Sequence, residues 1–362
     1  MESTETTHQS AVQAAWNKRP LIISGPCSAE TEEQVIETAE RLAKTGKVDM
    51  LRAGIWKPRT KPGMFEGIGA KGLPWLQKAK KETGMLITTE VANANHVELA
   101  LKHDIDILWI GARSTVSPFI VQEIAEALKG TDKPVLIKNP VNPDLSLWLG
   151  AVERFYSCNI KNLGVIHRGF STYEKTNYRN NPEWQIAIEL QNKFPDLPLI
   201  LDPSHIAGRR DIIFDLCQTA LGLNYDGFMV ETHHDPDNAW SDAAQQVTPS
   251  SLIKIIKDLK IRKITDHADE YKNNLNNLRT KINLVDSQLL ETLGKRMNIA
   301  EEIGVLKKEN NVAVLQSKRW NEILEKMIAE GKKKDLSEQF ILRVYKAIHQ
   351  ESINHQQSIF KQ

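Results

Sequence analysis

The chain has 362 residues, 41% hydrophobic and 26% charged, and its 47 Lys and Arg against 46 Asp and Glu give a net charge of +1. That length suits two domains, and the near-neutral balance excludes a global basic field for nucleic acid or a membrane surface. Cys27, Cys158 and Cys217 are odd in number and far apart, which excludes a disulfide framework, and no stretch approaches the roughly 20 apolar residues that span a bilayer.

Residues 1–10 are polar and carry no apolar signal region, so a soluble cytoplasmic protein is expected. From residue 20 onward, short apolar runs alternate with helical patterns. The runs are 21–24, 50–53, 86–89, 107–111, 134–138, 164–167, 199–202 and 228–231. Each is short and rich in Val, Ile or Leu, as strands buried on both faces are. Helical stretches lie between them, at 31–45, 73–83, 95–103, 117–129, 145–158, 182–193 and 211–222, and another follows at 249–260. Eight strand–helix units predict a (β/α)8 TIM barrel; an open doubly wound sheet shows the same local pattern. Gly67-Ile68-Gly69-Ala70-Lys71-Gly72 fits a dinucleotide fingerprint. It follows a long polar loop, not a strand, so the context that gives the motif its meaning is missing.

After residue 262 the strand-like runs and prolines stop. Helical patterns cover 266–309, 316–331 and 335–358, broken at 309–316 and 331–335. The reading is residues 1–262 as a barrel and 263–362 as an all-α three-helix domain. Its first helix is long enough to suggest packing between chains.

In such a barrel, chemistry sits where strands end. The strand ends here carry Arg52, Lys57, Arg59, Arg113, Lys138 and Arg168. Gathered on one rim, these cations would repel one another unless an anionic ligand joined them; phosphates and carboxylates fit. A second set, Cys27, His205, Glu231 and Asp242, combines soft, borderline and hard donors and suits a divalent transition metal such as Mn2+. A buried apolar Cys27 and a structural His205–Glu231 ion pair are the bland alternatives.

Gly25-Pro26-Cys27-Ser28, Lys57-Pro58-Arg59-Thr60, Gly111-Ala112-Arg113, Asp202-Pro203-Ser204-His205 and Val230-Glu231 occur in that order. Together they resemble 3-deoxy-D-arabino-heptulosonate 7-phosphate (DAHP) synthase of the short type over residues 20–262. The resemblance implies metal-dependent condensation of phosphoenolpyruvate with erythrose 4-phosphate. It implies Cys27, His205, Glu231 and Asp242 as metal ligands. It places Arg52, Lys57, Arg113, Lys138 and Arg168 around phosphoenolpyruvate, and Arg59 and Thr60 around the aldose phosphate. Lys57 could protonate the new alkoxide, and Glu90 would stand near the reacting water. The chain departs from the type at Asn139-Pro140-Val141-Asn142 and at His167, where an acidic residue would be expected.

In the tail, Arg279, Arg296 and Lys307 lie 17 and 11 residues apart in one helix. They are spread over tens of ångströms, so other helices or a second chain must complete any shared site. Leu278-Arg279-Thr280-Lys281-Ile282, Asp286, Arg296, Lys307, Arg319 and the stretch from Glu351-Ser352 to Gln356 resemble the all-helical chorismate mutase. That resemblance implies conversion of chorismate to prephenate in an intertwined homodimer. Arg279 would reach across subunits, Arg296 and Arg319 would hold carboxylates, Lys307 and Gln356 would bond the ether oxygen, and Ser352 would line the same face. Gln316 and Trp320 stand where Asp and Glu would be expected. A tail serving mainly as a dimerising, chorismate- or prephenate-sensing module is the alternative, and an eight-carbon sugar analogue is the alternative product for the barrel. Feedback of prephenate or chorismate through the tail onto the barrel is a further expectation.

Overall fold

The computed structural model describes residues 12–58, 63, 65–173, 176–262 and 269–361. The chain divides into two compact units, Met1–Ile264 and Thr265–Gln362.

Eight parallel strands form the first unit's centre: β1 (Leu21–Gly25), β2 (Met50–Arg52), β3 (Leu86–Val91), β4 (Ile107–Ile110), β5 (Val135–Lys138), β6 (Leu163–His167), β7 (Leu199–Leu201) and β8 (Gly227–Glu231). Each pairs with the next, and β8 pairs back onto β1 with Leu21 opposite Gly227 and Gly25 opposite Glu231. That closure excludes the open sheet. Around the barrel run α1 (Glu32–Ala43), α2 (Gly72–Thr83), α3 (Ala94–Lys102), α4 (Ala112–Thr115), α5 (Pro118–Ala127), α6 (Leu145–Ser157), α7 (Trp184–Lys193), α8 (Pro203–Ala207), α9 (Ile213–Gly222) and α10 (Pro249–Asp258). Several begin on a side-chain cap. Thr31, Asn93, Ser117, Asp144 and Thr248 each accept from the backbone N–H three residues ahead, a contact worth about 1 kcal/mol.

The helix expectations hold to within a few residues. The single-turn α4 and α8 were not anticipated; both start directly off a strand end. The glycine-rich stretch forms a 3-10 turn at Gly69–Lys71 that opens α2, well after β2 has ended.

Strand parity organises the rest. Ile23, Met50, Leu86, Ile107, Trp109, Leu136, Ile166, Ile200 and Met229 fill the barrel interior. Their neighbours Ile22, Leu51, Ile87, Leu108, Ile137, Val165 and Val230 pack outward under the helices. Side chains alternate faces along a strand, so the next inward positions toward the C-terminal rim are Arg52, Thr88 then Glu90, Lys138, Arg168, Asp202 and Glu231. The chemistry-bearing residues thus continue the inward-facing apolar columns.

The second unit is α11 (Asp269–Glu309), α12 (Ser317–Lys332) and α13 (Glu338–Lys361). Both α11 and α12 pack on α13, α11 through residues of its later half such as Arg296 and Lys307. Met297, Ala300, Ile341, Ser352 and Gln356 are buried there. The first half of α11 is almost wholly exposed. No described helix is long and apolar enough to cross a membrane.

Candidate active sites

Cys27 follows β1 and is buried. Its backbone N–H donates to Gln246 Oε1 at 2.9 Å. Ligand atoms of Cys27, Glu231 and Asp242 all lie within 4.8 Å of one another, and Cys27 Sγ is 3.4 Å from Asp242 Oδ2. His205, one turn into α8, brings Nε2 to 3.7 Å from Glu231 Oε1. All four expected metal-set residues therefore meet around Glu231.

His205 and Glu231 already hold the protonation states a metal needs, whereas Cys27 would lose its proton on binding one. Burial, then the nearby Glu231, pushes the Cys27 thiol up to about 12. Burial also lowers the His205 imidazole, against the pull of Asp202 and Glu231, which keeps a neutral ring. Burial works against the Glu231 carboxylate, but the positive charge of His205 when that ring is protonated, and that of Arg52, outweigh it and hold it below its usual range. Glu231 Oε1 is fully buried and accepts no hydrogen bond among the described residues. A sulfur, a neutral imidazole and two carboxylates match a divalent transition metal.

The cations surround this centre. Arg52 is buried, with Nη2 3.3 Å from both Glu231 Oε1 and the Cys27 carbonyl oxygen. Its Nε and Nη1 are buried with no hydrogen-bond partner among the described residues, and its guanidinium lies 5.0 Å from the Trp109 ring centroid. Lys57 Nζ donates to Cys27 Sγ at 3.2 Å. Lys138 Nζ bonds Asp202 Oδ2 at 2.8 Å, and the same oxygen is 2.8 Å from His205 Nδ1. Burial, then the charges of Arg179 and Arg113 acting against that of Asp202, pushes the Arg168 guanidinium down to about 10. Buried, mutually repelling cations with unused donors are the chemistry an oxyanion requires. Arg113 lies exposed on α4. Arg59 and Thr60 lie outside the described residues.

Glu90 ends the inward column of β3, where Trp109 Nε1 donates to its Oε2 at 2.9 Å. A Cβ at Gly111 would stand 2.1 Å from Glu90 Oε1, so only glycine leaves this carboxylate in place.

The departures have structural roles. Asn139 ties β5 to β6: its Oδ1 accepts from Arg168 N at 2.7 Å and its Nδ2 donates to the Gly169 carbonyl at 2.8 Å. His167 has the outward parity, so it packs under the helices and not in the rim pocket.

Sequence reasoning missed Asp202, Arg179 and Gln245. Asp202 was legible: it is the inward step after Ile200, and it binds both Lys138 and His205. Arg179 sits in an irregular segment and Gln245 in the single 3-10 turn Ala243–Gln245, neither with a periodicity to place it.

In the helical unit, a cavity of about 460 Å3 is lined by Arg296, Lys307, Gln316, Arg319, Trp320, His349, Ser352 and Gln356 among others. Arg296 Nη1 donates to Ser352 Oγ. Lys307 Nζ donates to Gln356 Oε1 at 3.1 Å and to the Val314 carbonyl at 2.6 Å, and burial lowers its pKa. Trp320 stacks on His349 with ring centroids 4.0 Å apart. Arg279 is exposed and does not line this cavity; it sits 17 residues before Arg296, about 25 Å along the helix axis.

Comparison with known proteins gives these arrangements a lineage. The DAHP synthetase I family model matches residues 3–267, and the chorismate mutase type II model matches residues 278–357. A phospho-2-dehydro-3-deoxyheptonate aldolase of Thermotoga maritima is 34% identical over 241 residues, 66% of this chain and 68% of that one. A 2-dehydro-3-deoxyphosphooctonate aldolase of Francisella tularensis subsp. holarctica is 28% identical over 273 residues, 69% of this chain and 93% of that one. The crystal structure of a Thermotoga maritima DAHP synthase superposes with a TM-score of 0.58 at 30% identity, covering 66% of this chain and 67% of that chain. The chain belongs to the DAHP synthetase I family and carries a chorismate mutase type II domain behind the barrel, which makes it a bifunctional enzyme of the shikimate pathway.

Proposed function

We propose that the barrel condenses phosphoenolpyruvate with erythrose 4-phosphate at a divalent metal centre of Cys27, His205, Glu231 and Asp242. The observation that carries this is the meeting of three ligand atoms within 4.8 Å beside buried Arg52 donors that have no partner among the described residues. A bound divalent ion would supply Lewis-acid polarisation of an aldehyde. Arg52, Lys138, Arg168 and Arg113 hold the phosphate and carboxylate of phosphoenolpyruvate in this reading, and Arg59 and Thr60 hold the aldose phosphate. The enol carbon of phosphoenolpyruvate attacks the aldehyde carbon, water adds at the adjacent carbon, and phosphate leaves from the resulting hemiketal. Lys57 protonates the oxygen that becomes the new hydroxyl. Glu90, fixed by Trp109, orients the incoming water.

In the tail, Arg296 and Arg319 hold the chorismate carboxylates, with Ser352 lining the same face. Lys307 and Gln356 stabilise charge developing on the ether oxygen as the compact conformer rearranges to prephenate. No nucleophile or metal takes part. A homodimer through the helical unit brings Arg279 of one chain to the cavity of the other. The exposed apolar residues Leu278, Ile282, Val285 and Leu289, each 57–60% accessible along one face of α11, support that pairing. Prephenate or chorismate bound in the tail feeds back on the barrel, and the enzyme works in the cytoplasm.

Cys27→Ala tests the central assignment. It should abolish condensation of erythrose 4-phosphate and leave chorismate turnover at the wild-type rate. Full condensation by this variant would refute the metal centre.

A further inference from the structure

Arg179 belongs to neither substrate pocket as expected from sequence, yet its backbone and side chain are both held at the metal cluster. The segment after β6 is closed at its base, where Phe170 and Asn181 exchange backbone hydrogen bonds of 2.8 Å in both directions. Arg179 N then donates to the Ile206 carbonyl of α8 at 2.9 Å. The stem of Arg179 lies against Gly208, whose φ is +68° and where a Cβ would come within 2.5 Å of Arg179 Cβ. The turn after His205 is therefore shaped to admit this arginine.

The guanidinium makes a serial connection. Arg179 Nη1 donates to Asp242 Oδ1 at 2.9 Å and to Gln245 Oε1 at 2.6 Å. With its oxygen turned toward the arginine, Gln245 must point its amide nitrogen the other way, and Nε2 donates to Glu231 Oε2 at 2.7 Å. Each carboxylate thus has one oxygen engaged. The remaining ones are Asp242 Oδ2, 3.4 Å from Cys27 Sγ, and Glu231 Oε1, 3.7 Å from His205 Nε2. Those two face the cluster.

We propose that Arg179, acting through Gln245, is the positioning residue that decides which carboxylate oxygens of Glu231 and Asp242 face the metal centre. Losing a partner that orients a metal ligand in this way typically costs about 10- to 100-fold in metal affinity. The proposal rests on the metal centre assigned above. It also accounts for the backbone of Asp242, which holds a left-handed φ of +50°, an uncommon state for a residue other than glycine: the arginine anchors its side chain from the other side.

The test is Mn2+ titration of the metal-free full-length protein against a competing fluorescent chelator, with no substrate present. Arg179→Met and Gln245→Leu should each weaken Mn2+ binding by roughly 10- to 100-fold. The double variant should be no weaker than Arg179→Met alone, because Gln245 acts behind Arg179. A merely structural role would lower the melting temperature of the metal-free protein and leave the Mn2+ constant untouched. If Arg179→Met fails to fold, Gln245→Leu decides, since it breaks the link without altering the loop. Wild-type Mn2+ affinity in the folded variants, with Cys27→Ala binding lost, overturns the positioning role alone. Wild-type affinity in Cys27→Ala as well overturns the metal centre and the proposal with it.

Discussion

His167 leaves β6 on the outer parity and is enclosed by Trp148, Phe170, Trp184 and Tyr225, with Nδ1 2.7 Å from the Tyr225 hydroxyl. Burial pushes its pKa down from 6.5 to about 3. The unfolded chain therefore takes up a proton below pH 6.5 that the folded barrel refuses until about pH 3. This contribution is complete above pH 6.5 and is lost as the pH falls toward 3, by about 2 kcal/mol at pH 5. His167→Gln should flatten the acid side of the barrel's denaturation profile by that amount; parallel wild-type and variant profiles would contradict it. Gly111 makes a second prediction at this scale. Gly111→Ala places a Cβ against Glu90 and should lower the condensation kcat/KM by roughly 100-fold, as small misplacements of a reacting group do, while leaving chorismate turnover intact. Unchanged condensation would show that the close approach of Gly111 does not hold Glu90 in its working position. Arg52, Lys138 and Glu231 were legible in the sequence because an inward apolar residue two positions earlier fixes where they point. Arg179 and Gln245 were not, because their placement comes from backbone contacts with Ile206 and from hydrogen bonds across more than sixty residues.

At the scale of elements, the strands were readable because each carries a dense Val, Ile and Leu run that both faces of a parallel sheet require. The capped helices were readable for the same reason their first turns are stable. The single turns α4 and α8 were not, since four or five residues cannot display a helical period. Both matter: α4 carries Arg113 and α8 carries His205. The long helix α11 presents the clearest consequence. Its first half carries Leu278, Ile282, Val285 and Leu289 at spacings of four, three and four residues, an apolar stripe that a single chain leaves in water. With the pairing proposed above, Ile282→Asp should give a monomer by light scattering where the wild type gives a dimer, and cut chorismate turnover at least tenfold, because Arg279 would no longer reach a partner's cavity. A variant that stays dimeric and fully active as a mutase would rule out this face as the interface.

At the scale of the whole molecule, two compact units carry two reactions with opposite needs. The barrel gathers a thiol, an imidazole, carboxylates and cations at the ends of different strands. The helical unit lines its cavity with cations, polar neutral groups and apolar side chains such as Ile299 and Ile303, and no acidic residue is among the described lining. The order of motifs along the chain made this division legible, since barrel signals end where proline and strand-like runs disappear. The most direct measurement is therefore a paired assay of the full-length enzyme, with both activities followed before and after a chelator removes divalent ions. Condensation should vanish and return with added Mn2+, while chorismate turnover stays constant throughout. Condensation that continues in the stripped enzyme, or chorismate turnover that disappears along with it, would contradict the account.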